Sequence, residues 1–283
     1  MTDDEYARLS AAIESGEEGQ GRALVQQFES LEEGQAVNIV YEGGAYAGIV
    51  DRMRSYGITF KGGSWASYVY GDSVEMVENL GLPNVRRYPV QRIEIIAPIY
   101  IDDVVAQFTS EGEFLAWADS LPWAERTTAR RECFMSDPAG VEYTYGEGRG
   151  KRTYTSVLPD ETVQYAMYHV NAAMAARGWE PMTGCFLNRY DTKKHSLHWH
   201  SDDFEGMKHA KSGVGIISFG EPRKFWWRLR GQTGVTPPSQ QMELAPGSLV
   251  IMPPGMQFTH EHRIPKGDRE MGTRVSLTFR AFK

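Results

Sequence analysis

Apolar positions change their period twice along this chain. In residues 1–33, Tyr6, Leu9 and Ile13, then Leu24, Val25, Phe28 and Leu31, recur at helical spacing. Gly16, Gly19 and Gly21 are expected to break that helix. From Ala36 to Ile96 the pattern becomes short strand-like runs: Val37-x-Ile39-x-Tyr41, Gly48-Ile49-Val50, Gly57–Phe60, Tyr68–Tyr70 and Val74–Val77. Glycine or charged turns part them every eight to ten residues, which predicts a small all-β barrel of SH3-like type. Pro98 and Asp102-Asp103 mark the expected junction, dividing the chain into residues 1–96 and 97–283.

Beyond the junction the helical period returns twice. Ser110-Glu111-Gly112-Glu113 reads as a capping box ahead of Phe114, Leu115 and Trp117. Pro159-Asp160-Glu161 opens a second helix that carries Val163, Met167, Val170 and Met174 on one side and stops at Gly178. The remainder reads as eight strands: Thr183–Tyr190, His198–Asp202, Gly213–Phe219, Lys224–Leu229, Gln241–Leu244, Ser248–Met252, Phe258–Ile264 and Thr273–Phe282. The fold class expected is mainly β with flanking helices, its larger part a closed sheet or jelly roll with helices over one face. Gly146-Glu147-Gly148-Arg149-Gly150 lacks the spacing and context of a phosphate-binding loop.

Composition narrows the class. With 41% hydrophobic and 12% aromatic residues in 283, the chain can bury a substantial core. No apolar run approaches the roughly 18 residues of a membrane span. The acidic start MTDDEYARLS is unlike a signal peptide, and two cysteines, Cys133 and Cys185, form no disulfide framework. These features predict a soluble, cytoplasmic protein without a membrane partner. The net charge of −7 sits in the first 100 residues, which hold 8 Lys and Arg against 15 Asp and Glu. An acidic barrel disfavours duplex binding; recruitment of a protein or nucleic-acid partner and plain structural support are the roles open to residues 1–96.

Six of the seven histidines lie between 195 and 262, a clustering that suggests a metal or acid–base site. On a strand, His200 and Asp202 project to one face. A third ligand would come from a distant strand, where His260 and His262 share a face and parity does not choose between them. Two imidazoles and one carboxylate leave half of an iron's positions open, the arrangement of non-haem Fe(II) oxygenases. The terminal Arg274-Val-Ser-Leu-Thr-Phe-Arg280 puts both arginines, with Ser276 and Thr278, on one face, and Val275, Leu277 and Phe279 on the other. Buried guanidinium groups need anions, and a dicarboxylate would offer one carboxylate to each; an edge strand with arginines in water is the other reading. Arg223–Arg230 interleaves cations with aromatics in a manner suited to phosphates and stacked bases, although alternate aromatics also suit a core.

In this order the segments HxD at His200–Asp202, HRIPK at His262–Lys266 and RVSLTFR at Arg274–Arg280 resemble the AlkB family of Fe(II)/2-oxoglutarate dioxygenases. Leu121-Pro122-Trp123, Glu142–Gly146, Asn188-x-Tyr190, Ile217–Gly220 and Pro246–Met252 match as well, so the resemblance covers residues 97–283 and leaves out 1–96. It implies a double-stranded β-helix and an enzyme that uses Fe(II), 2-oxoglutarate and O₂. Its activity would be oxidative demethylation of N-alkylated bases, releasing formaldehyde, succinate and CO₂. Carried over by position, His200, Asp202 and His262 would bind iron; Arg274, Arg280, Asn188 and Tyr190 would bind 2-oxoglutarate. The family often has Asn where this chain has Ser276. Asp203 and Arg130 resemble a pair near the substrate base, and Tyr143 and Tyr145 match the substrate-lid motif. The implied partner is single-stranded or flipped-base nucleic acid, since a stacked base cannot reach iron. Nucleobase hydroxylation, protein demethylation and a non-catalytic binding module are the alternatives.

Overall fold

The computed structural model describes residues 20–54, 57–61, 65–70, 73–79, 85–124, 130–145, 151–202, 212–232 and 240–282. The chain divides into two compact units, Met1–Ile96 and Ala97–Lys283. In the first, residues 20–29 are helical (α1). Gly21 therefore lies inside the helix rather than ending it. A glycine costs about 1 kcal/mol there, and burial of Phe28 and Leu31 against the barrel core outweighs it.

Strands β1 (Ala36–Tyr41), β2 (Gly44–Arg54), β3 (Gly57–Phe60), β4 (Trp65–Tyr70), β5 (Ser73–Asn79) and β6 (Val85–Ile95) close into a barrel. Alternate residues Val37, Ile39, Val50, Ile58, Met76 and Ile93 fill it.

The second unit faces two antiparallel sheets. Its larger sheet has the order β7 (Ile99–Ile101), β16 (Leu249–Met252), β13 (Val214–Gly220), β18 (Arg274–Arg280), β11 (Gly184–Tyr190), β8 (Arg131–Ser136). The smaller one runs β12 (Leu197–His200), β17 (His260–Ile264), β14 (Arg223–Leu229), β15 (Gln240–Leu244). A hairpin of β9 (Glu142–Tyr145) and β10 (Arg152–Thr155) stands apart. This is a jelly roll. Helices α2 (Glu111–Ser120) and α3 (Glu161–Ala175) bury Phe114, Ala118, Val163, Ala166, Val170 and Met174 against Val275, Leu277 and Phe279 of β18. With that face committed to the core, the other face of β18 is turned to the second sheet.

Local differences from expectation have local causes. Ser110 Oγ accepts from Glu113 N, yet the Glu113 carboxylate reaches one residue further back, to Thr109 N and Oγ1, instead of completing the box. Met256–Thr259 forms a turn of helix, α4, so Phe258 precedes β17 rather than belonging to it. Strands β7 to β10 carry no clean alternation because β8 is buried on both sides. Among the described residues no helix is long and apolar enough to cross a membrane.

Candidate active site

The site forms where the polar face of β18 meets β12 and β17. Because β18 is central, its arginines cannot point to water: Arg274 is 0% and Arg280 4% exposed. Arg274 Nη2 donates to Ser218 Oγ at 2.8 Å and to Ser276 Oγ at 3.2 Å, and its guanidinium lies over the Tyr190 ring. Its Nε and Nη1 have no hydrogen-bond partner among the described residues. Burial, with Arg223 nearby, brings its pKa down to about 10. A desolvated cation with two idle donors is a preformed anion site.

His200, Asp202 and His262 bring one donor atom each within 4.8 Å of one another, a group that could hold a metal ion. His200 Nε2 lies 3.6 Å from Asp202 Oδ1, and His262 Nε2 lies 3.8 Å from Oδ2. Register supplies the histidines, since His200 pairs with His262 across β12 and β17. Strand parity does not supply Asp202: β12 ends at His200, and Asp202 is held beyond it by its own N–H donating to Gln257 Oε1 at 2.8 Å. Buried His260 turns its Nδ1 to Thr259 Oγ1 and stays outside the group. Structure thus separates two histidines that periodicity could not.

Protonation states suit a cation. Burial pushes Asp202 up, but Arg280, His262 and His200 outweigh it and hold the carboxyl at about 2. Burial lowers His262 to about 3 and lowers His200 as well, so both imidazoles are neutral at pH 7. His200 Nδ1 lies 2.8 Å from the His198 carbonyl oxygen; donating there leaves Nε2 as the free lone pair. Asp202 Oδ2 is buried with no hydrogen-bond partner among the described residues. Two nitrogen donors and an idle carboxylate oxygen fit Fe(II).

One cavity joins these residues: His200, Asp202, His262, Arg274, Arg280, Asn188 and Tyr190 all line it. Arg130 is brought to it indirectly. Its Nε donates to Asn188 Oδ1 at 2.8 Å, while its Nη2 lies 2.7 Å from Glu132 Oε1. Glu132 is buried and also receives Arg152 Nη1 at 3.1 Å and the Tyr154 hydroxyl. Sequence reasoning missed Glu132, Gln257 and Ser218. Only Ser218 left a signal, as the cross-strand partner of Ser276.

Other expected residues fall differently. Tyr143 is 2% exposed, packed on Phe134 and Phe186 with Arg280 over its ring at 5.6 Å. It walls the arginine and presents no open face for a base, because hairpin residues of its parity turn inward. Tyr145 pairs by backbone with Arg152; its side chain, and all of Asp203, lie outside the described residues. In the basic–aromatic run, Arg223, Phe225 and Trp227 are buried, whereas Arg228 stacks on Trp199 at 4.1 Å on the opposite face.

Residues 100–280 match the family described as the 2OG-Fe(II) oxygenase superfamily. The human alpha-ketoglutarate-dependent dioxygenase alkB homolog 3 is 25% identical over 170 residues, which are 56% of this chain and 57% of that protein. Its Bos taurus counterpart is 27% identical over 175 residues, with the same coverage. The Arabidopsis thaliana DNA oxidative demethylase ALKBH2 is 31% identical over 113 residues, 33% of this chain and 36% of that one. A solved structure titled "The structure of OsALKBH1" superposes with a TM-score of 0.47 at 14% identity, covering 66% of this chain and 97% of that one. The chain spans just over half the length of the mammalian relatives. Members of the superfamily are dioxygenases that use Fe(II), 2-oxoglutarate and O₂. The chain belongs to the 2OG-Fe(II) oxygenase superfamily and is an AlkB-type dioxygenase.

Proposed function

We propose that this enzyme oxidatively demethylates N-alkylated bases in DNA or RNA. The observation that carries the reading is the single cavity in which a neutral–neutral–anionic ligand set adjoins a buried arginine with idle donors. His200, Asp202 and His262 would hold iron. Arg274 would take the distal carboxylate of 2-oxoglutarate, and Arg280, with Asn188 and Tyr190, the end nearest the metal. The iron and co-substrate supply O₂ activation and oxidation of a C–H bond, with succinate and CO₂ as co-products. The chain's residues do the rest. Arg280 neutralises Asp202 while presenting its remaining donors to the cavity. His198 fixes the His200 tautomer. Arg130 orients the Asn188 amide so that its NH₂ is left for the co-substrate. Ile216, Phe225 and Ile264 line the cavity and exclude water. A hydroxylated N-methyl group then falls apart to formaldehyde and the free base, so the protein need only deliver the base unstacked.

The substrate class draws support from the relatives, one of which is named a DNA oxidative demethylase. Cys133 and Cys185 are free thiols, in keeping with a cytoplasmic site of action. The test is anaerobic loading with Fe(II) and 2-oxoglutarate, then air, with methylated single-stranded DNA or RNA and readouts of succinate and formaldehyde. Formaldehyde that requires oligonucleotide and disappears in His200→Ala and Asp202→Ala supports the reading. Succinate without formaldehyde redirects it to hydroxylation of a nucleobase or demethylation of protein. Neither product from iron-loaded protein rejects it.

A further inference from the structure

The interior of the N-terminal barrel is aliphatic along most of its length, but one part of its wall is aromatic. Tyr46 lies opposite Ile39, and Tyr88 opposite Met76, so both stand on core-facing positions of their strands. Trp65 shares the parity of the fully buried Ser67. A bulge between Val40 and Tyr41 turns Tyr41 toward the same place. The rings converge: centroids are 5.0 Å apart for Tyr41 and Tyr88, 5.3 Å for Tyr41 and Trp65, 6.1 Å for Trp65 and Tyr88, and 5.3 Å for Tyr46 and Trp65. The three pairs among Tyr41, Trp65 and Tyr88 are inclined by 36–40° rather than stacked flat. All four side chains are only half-buried, unlike the aliphatic core beneath them.

Four tilted rings that stay half-open to solvent present negative π faces outward. With centroids this close, one cation over the group lies within about 6 Å of three of them, the range in which ring quadrupoles attract charge. A carboxylate stands beside them. Glu78 is the cross-strand partner of Trp65, and its field reaches the Tyr41 hydroxyl, whose pKa is raised by burial first and then by Tyr88 and Glu78. Glu42 follows Tyr41 and is exposed. Residues 1–100 carry nearly twice as many acidic as basic side chains. Phosphate is therefore repelled and a cation attracted.

We propose that Tyr41, Tyr46, Trp65 and Tyr88 form a receptor for the methylated ammonium of a lysine side chain in a basic protein segment. Methylation is what the site reads. An unmodified ammonium is strongly hydrated and gives up water reluctantly, whereas a methylated one keeps its charge and gains apolar surface for the rings. Acidic residues around the rings favour basic neighbours in the same segment. The inference concerns the first unit alone and stands whichever substrate the dioxygenase takes.

The test uses the full chain labelled with ¹⁵N, with the Trp65 indole resonance assigned from a Trp65→Phe variant. Probes are short basic peptides bearing one lysine that is unmodified, mono-, di- or trimethylated, the neutral tert-butyl isostere of trimethyl-lysine, a methylated-arginine peptide and free choline. Saturable shifts at Trp65, with the best methyl-lysine peptide bound about tenfold or more tighter than the unmodified and isosteric peptides, are the expected result. Tyr88→Ala should weaken that binding and Tyr88→Phe should retain it. Equal binding of the isostere overturns a cation-reading site. Tighter binding of choline or of methyl-arginine overturns the methyl-lysine assignment, and no shift with any probe overturns the site. The isostere comparison is made on unaltered protein, so it decides even if Tyr88→Ala unfolds the barrel; Glu78→Gln, expected to weaken every cationic probe and leave the isostere unmoved, gives a second check.

Discussion

Arg280 and Asp202 form a buried ion pair, Nη2 to Oδ1 at 2.8 Å, and that pair joins the metal-ligand set to the co-substrate cavity. One side chain thus serves both ligands. Arg280→Met should lower affinity for Fe(II) as well as for 2-oxoglutarate, because it strands the Asp202 carboxylate without its cation. Breaking such a pair from one side costs about 3–5 kcal/mol, so the melting temperature of the metal-free protein should fall too. Arg280→Lys keeps the charge but not the fork, and should rank between the two. Anaerobic titrations of each ligand check this. Unchanged iron affinity in Arg280→Met would confine the arginine to co-substrate binding.

Arg274 is the opposite case, a buried cation with no acidic partner among the described residues. Replacing a desolvated, unpaired charge by an apolar side chain of similar length removes a cost rather than an interaction. Arg274→Met should therefore leave ligand-free stability unchanged or raised, and abolish the stabilisation by 2-oxoglutarate. In unaltered protein, ligand at a hundred times its Kd contributes about 2.7 kcal/mol, several degrees in melting temperature. Melting curves with and without 2-oxoglutarate separate the two effects. A large loss of stability without ligand would show that Arg274 is satisfied within the fold.

Glu132 touches nothing in the cavity, yet it collects Arg130, Arg152 and Tyr154. Through Arg130 it fixes Asn188. Glu132→Gln should raise KM for 2-oxoglutarate by about tenfold while changing kcat less, since it loosens an orienting group rather than a reacting one. Glu132→Asp, which keeps the charge, should recover part of the loss. A fall in kcat with KM unchanged would argue against positioning.

How much of this could be read from the chain follows from which forces are local. The alternation on β18 foretold two faces because its period is two, and the cap at Asp160 foretold where α3 begins. His262 could not be preferred to His260 by parity. That choice depends on the β12–β17 register and on Thr259 engaging His260, which no periodicity encodes. Asp202 was placed correctly beside His200 for an incomplete reason: the strand stops, and Gln257, 55 residues away, holds the loop. Glu132 escaped notice because a lone acid between arginines and a cysteine looks like surface until β8 is seen at the sheet's edge, packed beneath the hairpin. Tyr143 was misjudged for the same reason. A motif can specify an aromatic without saying which face of a two-stranded hairpin is buried.

The two thiols give a prediction with a sign. Burial, helped by Asp160, pushes Cys133 up to about 12, and burial also raises Cys185 far above the usual thiol range. With the folded value above the unfolded one of about 8.5, the protonated thiol favours the fold. That stability is complete below about pH 8.5 and drains away as pH rises toward the folded value of about 12. Each thiol should contribute up to about 1.4 kcal/mol of loss per pH unit in that window. Denaturant unfolding between pH 8 and 11 should show a falling limb that Cys133→Ala makes shallower by about one thiol's share. At pH 8 the same displacement keeps the thiolate fraction on the order of 10⁻⁴, so iodoacetamide should label neither cysteine until the protein unfolds. Rapid labelling of native protein at pH 8, or an alkaline limb unchanged by Cys133→Ala, would show that water reaches the sheet beneath α3.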